Sequence, residues 1–66
     1  MKLTDLWTRL EETFGSGYAR SVANDQVLPQ LGGQTVEQAL SSGVEALTVW
    51  RAIVAAYPDR VPARLR

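Results

Sequence analysis

Few residues in this chain could do chemistry, and their spacing decides how they could combine. The 66 residues include no His and no Cys, which excludes imidazole bases, thiolate nucleophiles and the thiolate or imidazole ligands of zinc sites. Carboxylates, hydroxyls, tyrosines and a single lysine remain. That lysine, Lys2, lies beside the N-terminus. Glu11 and Glu12 are adjacent, so on a helix they project about 100° apart and cannot chelate jointly. Glu37 and Glu45 stand at separate helix starts, where capping and favourable charge explain each. Gly32-Gly33 precedes a helix, as a phosphate-binding turn would, but no Lys follows at the phosphate-loop spacing. A tight turn needing positive φ accounts for that pair. The sequence therefore predicts no enzyme, no catalytic residues, no cofactor and no metal ligands. A chain this short rarely encloses a substrate-sized pocket.

Recognition is the chemistry that remains. Trp50 beside Arg51 has the composition of an interface hot spot. With Trp7 and Tyr57 nearby, these residues form the candidate contact surface for a protein partner of unknown identity. An alternative reading uses residues 39–53, which resemble a helix-turn-helix core. Ala39 would let two helices approach closely, Gly43 would make the turn, and Val44 and Val49 would plug the interface. Thr48, Trp50 and Arg51 would then face DNA. The segment departs from that pattern at Gln38, where an apolar residue is usual, and at Leu40 and Trp50, where polar residues are usual. Seven basic residues balance seven acidic ones, so no net field draws the chain to nucleic acid or anionic lipid. The same neutrality leaves room for a homodimer.

Four helices are needed to position these residues. The first starts near Thr4, a good N-cap, with Asp5 in the first turn. Its apolar stripe is Leu3, Trp7, Leu10 and Phe14, widened by Leu6. Gly15 and Gly17 end it. A second, shorter helix fits 17–25, with Tyr18, Ala19, Val22 and Ala23 facing inward. Pro29 disfavours helical backbone at Leu28 but can open a short helical turn to Leu31, before Gly32-Gly33 breaks the chain. The third helix has the clearest start, a capping box formed by Thr35 and Gln38. Val36, Ala39 and Leu40 would face inward. Gly43 ends it, and Ser42 with Glu45 offers a second capping box. The fourth and longest helix covers about 44–57, with a stripe of Leu47, Trp50, Val54 and Tyr57 widened by Val49 and Ile53. So broad an arc suits a helix packed on two sides. Pro58 stops it.

These elements predict an all-α fold, a small compact bundle of about four short helices in one domain, residues 1–58. Residues 59–66, with Arg60, Arg64, Arg66 and Pro62, read as a flexible tail. The 45% apolar content suits a globular chain. Stability is expected to be thin, because a chain of this length buries only about 60% of its unfolded surface. No apolar run resembles a signal peptide or approaches the roughly 20 residues of a membrane span. A cytoplasmic protein without membrane contact is the expectation.

The whole pattern also carries a resemblance. Its elements are Leu3-Thr4-Asp5-Leu6-Trp7, Phe14-Gly15, Tyr18-Ala19, Val27-Leu28, Leu31 through Leu40, Gly43-Val44 and Val49-Trp50-Arg51-Ala52. Together they resemble an actinobacterial family of small helical proteins, the domain of unknown function 3046, from Met1 to about Pro62. The resemblance implies a small cytosolic protein without an assigned activity, often encoded near the recombinase gene of DNA repair. It supplies no catalytic or binding residues. Members often carry a Cys in the last helix after the Trp-Arg pair; Val54 stands in that area here, which argues against essential thiol chemistry. Separately, Leu31 to Leu40 is similar to a short segment of some toxin-binding antitoxin domains, which supports partner binding.

Overall fold

The computed structural model describes all 66 residues. Four helices follow in order: α1 (Leu3–Phe14), α2 (Ala19–Asp25), α3 (Val36–Ser41) and α4 (Ala46–Ala56). Short 3₁₀ turns lie at Pro29–Leu31 and Ala63–Leu65. The Cα radius of gyration is 10.5 Å, close to the ~11 Å of a fully compact chain of this length. No segment therefore projects far from the body.

α1 begins one residue before Thr4. Its start is fixed by Asp5, whose Oδ2 accepts the Lys2 backbone N–H at 3.1 Å. The buried stripe runs Leu6, Leu10, Phe14, so it shares Leu10 and Phe14 with the predicted one but is turned toward Leu6 and away from Leu3 and Trp7. Leu3 is left 52% exposed, and Trp7 lies half-buried on the rim. Gly15 ends the helix with a φ of 89°. The Gly15 carbonyl accepts the N–H groups of both Tyr18 and Ala19. The chain is thus still turning at Tyr18, so α2 starts later than predicted. Tyr18 faces out, 53% exposed, while Ala19, Val22 and Ala23 are buried as expected.

The predicted turn after Pro29 forms, and Gly32 and Gly33 follow at φ of 68° and 82°. This conformation folds the loop back, so that the Leu28 N–H reaches the Gln34 carbonyl at 3.0 Å. α3 starts at the predicted capping box. Thr35 Oγ1 accepts the Gln38 N–H at 3.1 Å, and Gln38 Oε1 accepts the Thr35 N–H at 2.9 Å. It ends in a Schellman motif. The Gly43 N–H bonds the Leu40 carbonyl, and the Val44 N–H reaches back to the Ala39 carbonyl at 3.0 Å. That pattern needs the left-handed side of the map, and Gly43 supplies it at φ 95°. The second capping box does not form, because Ser42 donates its hydroxyl back to the Ala39 carbonyl and α4 starts after Glu45.

α4 packs against α1, α3 and the 3₁₀ turn after Pro29. Its buried residues are Val49, Trp50, Ala52 and Ile53. The predicted stripe through Leu47 and Val54 is therefore rotated: Leu47 is 38% exposed and Val54 is half-buried. Most α4 residues are apolar, so periodicity alone could not select the inward face. Residues 59–66 are not a loose tail. Val61 is only 3% exposed, and Leu65 packs against the core.

Two truncations test this packing by urea unfolding. Leu10→Ala should cost about 2–5 kcal/mol. Leu47→Ala should change stability by less than about 0.5 kcal/mol, whereas the predicted stripe would make the two losses comparable.

Candidate functional site

The four predicted contact residues do not form one surface. Trp50 is 2% exposed, which corrects the expectation that it meets a partner. α4 presents it inward, and its indole N–H donates to the backbone carbonyl of Leu65 at 2.9 Å. The Arg9 guanidinium of α1 lies 5.6 Å from the Trp50 ring centroid, with Nη1 3.4 Å from the same carbonyl. Trp50 is therefore enclosed by α1, α4 and the C-terminal segment. Its one polar hydrogen is satisfied inside the domain. The same burial removes Trp50 from the predicted DNA-facing set.

Thr48 and Arg51, the other two members of that set, are exposed. They stand on the outer side of α4, three residues apart and so on neighbouring positions of one helix face. Tyr57 is half-buried at the end of α4, edge-on to Phe14 with ring centroids 5.1 Å apart. Phe14 lies about 10 Å further along α1 than Trp7, so Tyr57 packs about two helical turns away from Trp7.

Trp7 is the predicted contact residue with the right geometry. Its half-buried ring carries the Arg20 guanidinium of α2 at 4.5 Å from the centroid. Leu3, one turn earlier on the same helix, is exposed. The arrangement combines an aromatic face, a fixed cation and an apolar neighbour. Arg20 was absent from the predicted contact set, because its meeting with Trp7 depends on how α1 packs against α2.

The C-terminal residues were also missed. Arg64 pairs with Glu12 at 3.1 Å, Arg60 lies over the Phe14 ring at 5.2 Å, and Arg66 Nη2 donates to the Pro58 carbonyl. The one sequence signal was Val61, an apolar residue set between Arg60 and Pro62. The decisive group, a backbone carbonyl, has no side-chain signature.

An open depression of about 550 Å³ lies over α3, lined by Gln34, Glu37, Gln38, Ser41 and Ser42. Three of its polar groups are already engaged: the Gln38 carboxamide oxygen in the capping box, the Ser42 hydroxyl on the Ala39 carbonyl, and the Gln34 amide, which donates to Ser42 Oγ at 3.5 Å. No helix is long and apolar enough to cross a membrane.

Residues 1–64 match the model of a family described as a protein of unknown function, DUF3046. The chain belongs to this family. The matched span takes in Val61 to Arg64, so the family's extent includes most of the segment that closes over Trp50. No curated protein and no solved structure matches the chain.

Replacing Trp50 by Phe keeps a ring in the core but removes the indole N–H. The Leu65 carbonyl loses its best donor, and the variant should be destabilised by about 1–3 kcal/mol. Trp7→Phe leaves no buried polar group unpaired, so its loss in thermal denaturation should be clearly smaller. Equal losses would contradict the placement of the two side chains.

Proposed function

We propose that this domain is a protein-interaction module without catalytic activity, and that its contact surface centres on Trp7 and Arg20. The observation that carries the reading is the Arg20 guanidinium stacked on the half-buried Trp7 ring. Trp and Arg are the residue types that most often dominate binding energy at interfaces. Here each holds the other in place before binding, which lowers the ordering cost that association must meet. The stacked guanidinium keeps N–H donors for an acidic or carbonyl group of the partner, while Leu3 offers apolar area. The surface replaces the predicted one around Trp50 and Arg51 and keeps Trp7 from it.

A second reading, DNA binding by the outer face of α4, is favoured by one observation. In the α3–turn–α4 unit Ala39 and Val49 are both fully buried with Gly43 at the turn, while Val44, expected to plug the same interface, is half-buried. Thr48 and Arg51 would meet the nucleic acid. With zero net charge, affinity would rest on a few phosphate contacts, and Arg51→Ala, which removes the one cation of this pair, would flatten its salt dependence.

Affinity purification of the tagged chain from native lysate, with and without nuclease, separates the two. The interaction reading expects a co-purifying protein that survives nuclease, disappears in Arg20→Glu and Trp7→Ala, and is kept in Arg51→Ala. Recovery that disappears with nuclease and with Arg51→Ala would replace it by the DNA reading. A partner kept by both the Arg20 and the Trp7 variants would remove this surface from the account.

A further inference from the structure

The groove between α1 and α4 has the character of a peptide site with a peptide already in it. Its occupant is the chain's own segment Val61–Leu65. Three kinds of contact hold that segment. Val61 is buried as an apolar anchor. The Leu65 carbonyl takes hydrogen bonds from Trp50 Nε1 at 2.9 Å and Arg9 Nη1 at 3.4 Å. Arg64 pairs with Glu12 at 3.1 Å. All three donor or acceptor side chains belong to α1 or α4.

The way the segment is attached makes it separable. Its backbone hydrogen bonds stay within residues 57–66: Arg60 and Val61 to the Tyr57 carbonyl, Leu65 to Pro62, and Arg66 to Ala63. No backbone-to-backbone bond ties it to α1, α2 or α3; only side chains reach it from the helices. If it swings out about the turn at Pro58–Arg60, every helix keeps its own ladder. What it leaves behind is an indole N–H, a guanidinium, a carboxylate and an apolar hollow. Those groups specify a ligand: a short linear segment with an apolar anchor, a free backbone carbonyl and a cation.

We propose that this groove docks a linear peptide of a partner protein with the chemistry of Val61–Leu65, an apolar residue followed by a proline, a small residue, a basic residue and an apolar residue, and that the chain's own segment is a strap displaced by it. The site is separate from the Trp7–Arg20 surface and does not rest on it. The tether gives the strap an effective concentration in the millimolar range. The intact chain therefore binds such peptides weakly, and anything that weakens the strap raises the apparent affinity by enlarging the open fraction.

The probe is a labelled peptide of residues 59–66, titrated by anisotropy against the full chain to about 1 mM. The Arg64→Glu chain, whose strap now opposes Glu12, should bind it at least about fivefold more tightly than the unmodified chain. A Glu12→Arg chain should reverse the preference, binding the peptide that carries Arg64→Glu several-fold more tightly than the unmodified peptide. Absence of binding in all matched pairs overturns the proposal, as does affinity indifferent to the charge exchange. If circular dichroism shows Arg64→Glu unfolded, the unmodified chain decides. Addition of unlabelled peptide should then move the backbone amide signals of the ¹⁵N-labelled chain's own Val61 and Leu65 toward unfolded positions, and unmoved signals overturn the proposal. A chain that doubles its mass at concentrations where the peptide fails to bind assigns the groove to a second copy, which overturns a separate partner.

Discussion

The Leu65 carbonyl meets the Trp50 indole N–H where the interior of this domain closes. A chain of this length has little core to spare, and without Cys it has no disulfide to hold its ends. A tryptophan near the middle of α4 supplies a large share of the buried apolar area, but its N–H must find an acceptor. Left unpaired inside, that group would cost about 1–3 kcal/mol. The acceptor comes from the C-terminal segment, at 2.9 Å. The exposed Arg64–Glu12 pair beside it is worth at most about 1 kcal/mol. Burial of Val61 and the carbonyl contact therefore hold the C-terminal segment.

That closure separates the two tryptophans. Trp50 faces inward, with Arg9 over its face and a main-chain carbonyl at its edge. Trp7, on the rim of α1, is overlaid by Arg20 and remains half-exposed. Both have an arginine stacked on them, yet only one retains surface for a partner. The proposed interaction function follows from this difference. The α1–α4 groove is a second recognition surface by the same logic, closed by the chain's own segment.

Sequence reading located what local chemistry specifies. The Thr35–Gln38 capping box, the stop at Gly43 and the turn after Pro29 were legible because each depends on residues a few positions apart. The facing of α1 and α4 was not, since their apolar arcs are wide and only the neighbouring elements select a centre. That ambiguity put Leu47 and Trp50 on one stripe, of which the structure buries Trp50 and exposes Leu47, and Arg51 beside Trp50 suggested a partner contact that its burial excludes. The C-terminal segment was read as loose because its arginines suggested solvent, while the group that anchors it is backbone. Arg20 was missed for a related reason: its stacking on Trp7 is a long-range contact between helices. Of the candidate contact residues, Trp7 alone keeps its role at the proposed centre.

The inward Trp50 and outward Trp7 are the central claim, and the unmodified chain reports on both through its two indole N–H signals. Solvent hydrogen exchange, followed by NMR on ¹⁵N-labelled protein, compares them directly. The structure requires the Trp50 indole to exchange at least about tenfold more slowly than that of Trp7, because its N–H is buried and bonded and opens only with local unfolding. Equally fast exchange of the two indoles would mean that Trp50 is not sealed by the C-terminal segment, and would contradict the account.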